Sequence, residues 1–144
     1  MELEPSIEFV RTAIHDDDGL WEVQLHATNG RYAVGQQFYA YPENFAEFIG
    51  DLESFGTSLR DEATFESGNE GDRWAHFVLI HAFIHSPRGE SAIRVPATNN
   101  QTDVHGQRGE FCISCEAGAV NRLGRSLRQW VDDASEPFVW LAAG

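Results

Sequence analysis

The run Arg73-Trp74-Ala75-His76-Phe77-Val78-Leu79-Ile80-His81-Ala82-Phe83-Ile84-His85 constrains this chain more than any other stretch. It is long, almost wholly apolar, rich in β-branched and aromatic residues, and bounded by Gly71-Asp72 and Ser86-Pro87. One parity of alternation carries Trp74, Val78, Ile80 and Ile84; the other carries Phe77, Leu79 and Phe83. A strand apolar on both parities predicts an interior place in a sheet, with both faces covered. The cover for the second face has three candidates: sheet curvature, the apolar stretch near the end of the chain, or a second copy in a homodimer.

Around this strand the chain reads as further strands and two helices. Ser6–His15 is a first strand, and Asp16-Asp17-Asp18-Gly19 is a turn. Leu20–Thr28 alternates Trp21, Val23, Leu25 and Ala27 against polar residues, as a half-buried strand does. Asn29-Gly30 predicts a tight type I′ hairpin leading into Arg31–Ala40. Pro42 opens a helix whose stripe is Phe45, Phe48, Ile49, Leu52 and Phe55, and Gly56 closes it. Asp61–Ser67 is a short strand that precedes the central run. Glu90–Val95 follows, with Pro96 marking its end or a sheet edge. Ala97–Gln107 reads as a loop and Arg108–Glu116 as the last main strand. A second amphipathic helix, from about Gly118 to Val131, carries Val120, Leu123, Leu127, Trp130 and Val131 inward. Arg122, Arg125 and Arg128 fall on its solvent side. Pro137-Phe138-Val139-Trp140-Leu141 is too apolar to hang free and is expected to dock on the body. The whole is an α+β domain spanning residues 1–144. Its mainly antiparallel sheet has about seven strands in the order β-β-β-α-β-β-β-β-α, with both helices on one face.

Charge and composition narrow the function. The formal charge is −13, from 23 acidic residues against 10 basic ones, all of them Arg. That field repels nucleic acid and anionic membranes and suits a basic protein partner. The opening residues Met1-Glu2-Leu3-Glu4-Pro5 have no apolar core of a secretion signal, and no segment is long and apolar enough to span a bilayer, so a cytoplasmic place is expected.

Chemistry-bearing motifs are few. Cys112 and Cys115 lie in a strand pattern, where an i,i+3 pair points to opposite faces, so they build neither a redox nor a zinc site. His81 and His85 share a face but stand roughly 13 Å apart, too far to hold one metal. Counted from Asp16, the sixth and twelfth positions of a calcium loop are Trp21 and Ala27, so that template fails. No hydrolase, nucleotide-binding or metalloprotease signature occurs. Neither cofactor nor metal is expected.

The order of elements gives a resemblance. A meander precedes the helix around Phe45-Ala46-Glu47-Phe48. An acidic connection with Glu62 and Phe65-Glu66-Ser67 leads to the long strand near His76. Glu116-Ala117-Gly118-Ala119-Val120 and Leu123 enter the last helix. Over residues 6–131 this resembles small uncharacterised α+β domain families of actinobacteria and other GC-rich bacteria, and more loosely the immunity proteins of polymorphic-toxin systems. The resemblance implies a binding protein that neutralises a cognate toxin, and it brings no site residue with it. The charge of −13, the lack of catalytic motifs and the compact size point to a basic partner, met by acidic surface around Asp16, Asp17, Asp18, Glu70 and Asp72. The alternative is a small-molecule site or enzyme pocket beside the central strand, built on Trp74, His81 and His85.

Overall fold

Alternation of apolar and polar residues sets the strands, and the side on which each apolar set lies decides how they stack. In the computed structural model, which describes residues 3–71 and 73–144, the chain runs β1 (Ser6–Ile14), β2 (Trp21–Thr28), β3 (Ala33–Ala40), a 3-10 turn (Pro42–Phe45) and α1 (Ala46–Glu53). It continues through β4 (Glu62–Gly68), β5 (Phe77–Ile84), β6 (Ser91–Thr98), β7 (Arg108–Cys115), α2 (Ala117–Asp132) and β8 (Phe138–Leu141). The α+β class, the antiparallel pairing and the two helices are as the sequence predicts. The apolar stretch after α2 supplies an eighth strand.

The strands divide into two four-stranded sheets, ordered β3-β2-β1-β8 and β4-β5-β6-β7. The division follows from the helix between β3 and β4, which carries the chain off the first sheet before β4 begins a second. The two sheets meet along β3. Its start lies on β7, so closely that a Cβ on Gly109 would sit 2.3 Å from Val34 Cγ1. Its end lies on β4, where the Phe38 and Phe65 rings are 5.5 Å apart and the Ser67 hydroxyl donates to the Tyr39 carbonyl at 2.7 Å. Between the sheets, one contiguous core takes Ile7 and Phe9 of β1, Val23 and Leu25 of β2, Val78 and Ile80 of β5, and Val95 of β6.

The helices close that core. Asn121 of α2 donates from its side-chain amide to the carbonyls of Leu52 (2.9 Å) and Phe55 (2.8 Å), satisfying the open C-terminal end of α1. Arg122 is not a solvent residue, because its guanidinium donates to the Leu141 carbonyl at 2.9 Å and lies near the Trp140 ring. Trp140 in turn donates to the Ala119 carbonyl at 3.0 Å, so β8 is tied to α2 while it pairs with β1.

Three local expectations change. The Asn29-Gly30 connection has four residues rather than two, since Thr28 pairs with Ala33. Gly30 has a positive φ, but the Asn29 carboxamide accepts from the amides of Arg31 and Tyr32, which lengthens the turn. Pro42 opens a 3-10 turn, and α-helical geometry begins only at Ala46. Pro96 lies inside β6, an interior strand, and the β5–β6 pairing breaks between Val78↔Ala97 and His81↔Arg94, where its missing N–H falls.

Gly124 and Gly118 of α2 make a paired test. A Cβ at Gly124 would stand 2.8 Å from Leu52 Cβ and 3.0 Å from the Glu53 nitrogen, whereas one at Gly118 meets nothing within 4 Å. Gly118→Ala should stabilise the protein by about 0.5–1 kcal/mol through helix propensity. Gly124→Ala should destabilise it by about 1–2 kcal/mol, because overpacking outweighs that gain. Urea melts of the two variants should therefore shift in opposite directions.

Candidate binding face on the second sheet

The inward parity of β5 is Val78, Ile80 and Ala82. The other parity, Phe77, Leu79, His81 and Phe83, faces away from the core. Among the described residues no helix or strand packs on that side, and the apolar stretch near the end of the chain joins the first sheet as β8 instead of covering it. Phe77 is buried among its neighbours, and Leu79, His81 and Phe83 are half-buried.

Register shows what flanks them. Phe83 lies between Glu62 of β4 and Ala92 of β6. His81 lies between Thr64 and Arg94, and Arg94 pairs onward with Cys112 of β7. Phe77 lies beside Thr98, which pairs with Arg108. The His81 and Phe83 rings stack at 5.0 Å and 21°. The Arg94 guanidinium carbon stands 5.1 Å from the Phe83 centroid, a cation–π contact. Imidazole, phenyl and guanidinium thus form one cluster of planar groups on an open antiparallel sheet.

Charges of both signs edge the face. Glu62 lies 3.3 Å from His81. Arg108 reaches both Glu70 and Glu110 at 3.0 Å, and Arg94 lies 4.0 Å from Glu110. These carboxylates, Glu70 first, raise the Arg108 pKa above its ordinary value. Apart from half-buried His81 these side chains are exposed, so the ion pairs are weak and open to exchange.

The residues singled out from sequence scatter. Asp18 sits in the β1–β2 turn, accepting from the Leu20 amide and from the Tyr41 hydroxyl. The Tyr41 hydrogen bond, then the Leu20 one, holds its carboxyl below the usual range. Asp16 and Asp17 are exposed in the same turn. Glu70 is on the β4–β5 connection, and Asp72 lies outside the described residues. Among the described residues no hydrogen bond or ion pair joins these two loops. Trp74 and His85 precede and follow β5 rather than belonging to it. Trp74, His81 and His85 line none of the recesses along β3 and β7, at the loops or between the end of α2 and β8. Cys112 is an exposed thiol beside Arg94, and Cys115 is half-buried, with burial pushing its thiol up. The sequence places His81 on one face with Phe77 and Phe83; missing from it were Arg94 and the stacking of the two rings. The i,i+2 spacing of those two rings on a strand was the available signal.

One buried polar pair lies off this face. Ser67 Oγ is 2.8 Å from His76 Nε2 while donating to the Tyr39 carbonyl, so the imidazole Nε2 is the donor to Ser67. His76 Nδ1 is buried without a partner. The serine proton is committed to a backbone carbonyl, which leaves the pair structural rather than nucleophilic.

No family model and no curated protein matches this chain. It is similar in fold to the plant transcriptional regulator PBF-2, at 12% identity and a TM-score of 0.48, over 91% of this chain and 78% of that one. It is similar to WHY3 from Arabidopsis thaliana at 14% identity and a TM-score of 0.47, over 91% and 83%. WHY1 from Arabidopsis thaliana matches at 10% identity and a TM-score of 0.49, over 99% and 82%. These findings overturn the expectation of an immunity-like protein that binds a basic partner and excludes nucleic acid. A protein described as a transcriptional regulator stands among the matches, and both the immunity reading and the exclusion are withdrawn. No helix among the described residues is long and apolar enough to cross a membrane.

His76 gives a pH test. Burial lowers its pKa from the ordinary 6.5, so the folded state prefers the neutral ring. Its contribution is fully present above about pH 6.5 and is lost as pH falls below that, where the unfolded chain takes up the proton first. Urea stability measured from neutral pH down to mildly acidic pH should therefore decline more steeply for the natural protein than for His76→Gln; parallel curves would refute the assignment.

Proposed function

We propose that this chain is a binding module that takes single-stranded nucleic acid on the outer face of the second sheet. The observation that carries the reading is the uncovered His81–Phe83–Arg94 cluster, with Leu79 and Phe77 continuing along the same strand. Flat aromatic bases stack on exposed rings and on guanidinium planes, and an open antiparallel sheet presents such groups in a row at the spacing of alternate residues. Burying a base on this face also removes from water the apolar area that β5 leaves exposed. The free thiols of Cys112 and Cys115 fit a reducing, cytoplasmic setting.

The overall charge of −13 works against a polyanion, so stacking must dominate and phosphate contacts must be few. Arg94 and Arg108 are the cations on the face. Two phosphate contacts on a single strand give a log–log salt slope of about −1.4, far shallower than a basic nucleic-acid binder shows.

Fluorescence anisotropy with labelled single-stranded oligonucleotides at low salt tests this. Binding should fall in the micromolar range, with that shallow slope. Phe83→Ala and Arg94→Ala should each weaken it about 5- to 150-fold, the loss expected from removing one stacking partner worth about 1–3 kcal/mol. Absence of binding at low salt, or indifference to both substitutions, would overturn the reading.

A further inference from the structure

The apolar row of β5 does not run out into open solvent at both ends. Phe77, Thr98 and Arg108 form its last rank across β5, β6 and β7. Beyond them stand residues 69–71 and 73–76 on one side and 99–107 on the other, stitched together by one residue. Asn100 has a φ of 57°, the described non-glycine residue in the left-handed region. Its side-chain amide donates to the carbonyls of Asn69 (2.7 Å) and Trp74 (3.1 Å), and its side-chain oxygen accepts from the Gly71 amide (3.2 Å). Its own backbone N–H donates to the Thr98 hydroxyl at 3.0 Å, which fixes the stitch to the end of β6. Asn99 braces the longer connection from within, accepting from the amides of Gln101 and Gln107.

Under this stitched wall is a recess of about 430 Å³, lined by Gly71, Thr98, Asn100, Thr102, Gln107 and Arg108. That volume is of the size at which small-molecule sites begin, about 300–1,000 Å³. Thr98 and Arg108 belong both to the recess and to the last rank of the face, so the two are continuous. Trp74 on one connection is 51% exposed and Val104 on the other is 93% exposed, leaving apolar surface on the wall itself.

We infer that this recess is the terminal subsite of the binding face: it receives the last nucleoside of a strand lying along β5 and β6, and it selects an end bearing a hydroxyl over one bearing a phosphate. The inference rests on the nucleic-acid reading above. A strand laid along the face meets tied loops at this rank and has to end or turn away. A free end fits the recess, and an internal segment would have to enter and leave by the same mouth. The charges decide which end chemistry it takes. Asp103 lines the recess, and the Arg108 guanidinium at its edge lies 3.0 Å from both Glu70 and Glu110, so carboxylates outnumber the lining's cation and a terminal dianion meets net negative charge. Carboxylates and side-chain amides accept and donate to a sugar hydroxyl at no electrostatic cost.

The test compares one oligonucleotide sequence in several forms: linear with hydroxyl ends, linear with a phosphate on either end, and covalently closed into a circle. The hydroxyl-ended linear form should bind about tenfold more tightly than the circle, and a phosphate on one of the two ends should remove most of that advantage. Asn100→Gly, which keeps the left-handed backbone and deletes the stitch, should bring the linear form down to the affinity of the circle. Equal affinity of linear and circular forms would overturn the terminal subsite while leaving the face reading standing. Tighter binding of a phosphorylated end would overturn the hydroxyl selection. Failure of every form to bind would remove the face reading and this inference with it.

Discussion

Phe45 is the side chain on which the packing depends. It leaves the 3-10 turn between the sheets and stacks flat on Phe65 of the second sheet, at 4.6 Å and 1°. It also meets Phe9 and Trp21 of the first sheet and Trp130 of α2, at 6.1, 6.4 and 5.8 Å. One ring therefore touches both sheets and the long helix. Aromatic pairs of this kind add about 0.5–1.5 kcal/mol each beyond the area they bury. The turn that presents Phe45 is held by the Tyr41 amide donating to the Asn44 side chain at 2.7 Å, so local turn chemistry places a long-range contact.

A core gathered at one point has a consequence for what is left over. Each sheet turns one face toward Phe45 and its neighbours, and both helices add to the same interior. Among the described residues no element remains to cover the outer faces. On the first sheet this is harmless, because β2 and β3 present Glu22, Gln24, His26 and Gln37 outward. On the second sheet β5 has apolar and aromatic residues on both parities, and only one parity goes inside. The surplus is not scattered: register sets Phe83, His81 and Arg94 together and leads the row to the recess behind Phe77. An apolar row that the fold leaves uncovered, with planar groups already stacked within it, is surface organised for a partner rather than left from packing.

Much of this was legible in the sequence because local periodicity carries it. The stripe Val120, Leu123, Leu127 and Trp130 fixes the inward side of α2, and the alternation of Trp21, Val23, Leu25 and Ala27 fixes that of β2. The docking of the Phe138–Leu141 stretch followed from its apolar content alone. What periodicity does not encode is which sheet a strand joins. The break after β3, the crossing of Val34 over Gly109 and the place of Pro96 in an interior strand are all tertiary outcomes. Strand spacing sets His81 and His85 roughly 13 Å apart, too far for one metal, and puts His81 on one face with Phe83, but the cross-strand arrival of Arg94 beside their rings is set by register alone.

The net charge misled for a related reason: a total says nothing about where each charge is spent. Asp61 accepts from the amides of Ser58, Thr57 and Gly56, with the Ser58 bond foremost in holding its carboxyl below the usual range. Asp18 is committed to Tyr41 and the Leu20 amide, and Glu53 to Arg128. Asp133 caps Ser135, whose side-chain hydrogen bond leads in lowering its pKa. These carboxylates fasten turns and helix ends, and the same hydrogen bonds that do so hold them ionised. The face of the second sheet keeps an acidic excess too, with Arg94 and Arg108 set among Glu62, Glu66, Glu70 and Glu110, but Arg94 stands directly beside the stacked rings. The field that matters to a ligand is the one within a Debye length, about 10 Å at ordinary salt, so these two arginines and their carboxylate neighbours, rather than the total of −13, set what a strand on this face meets.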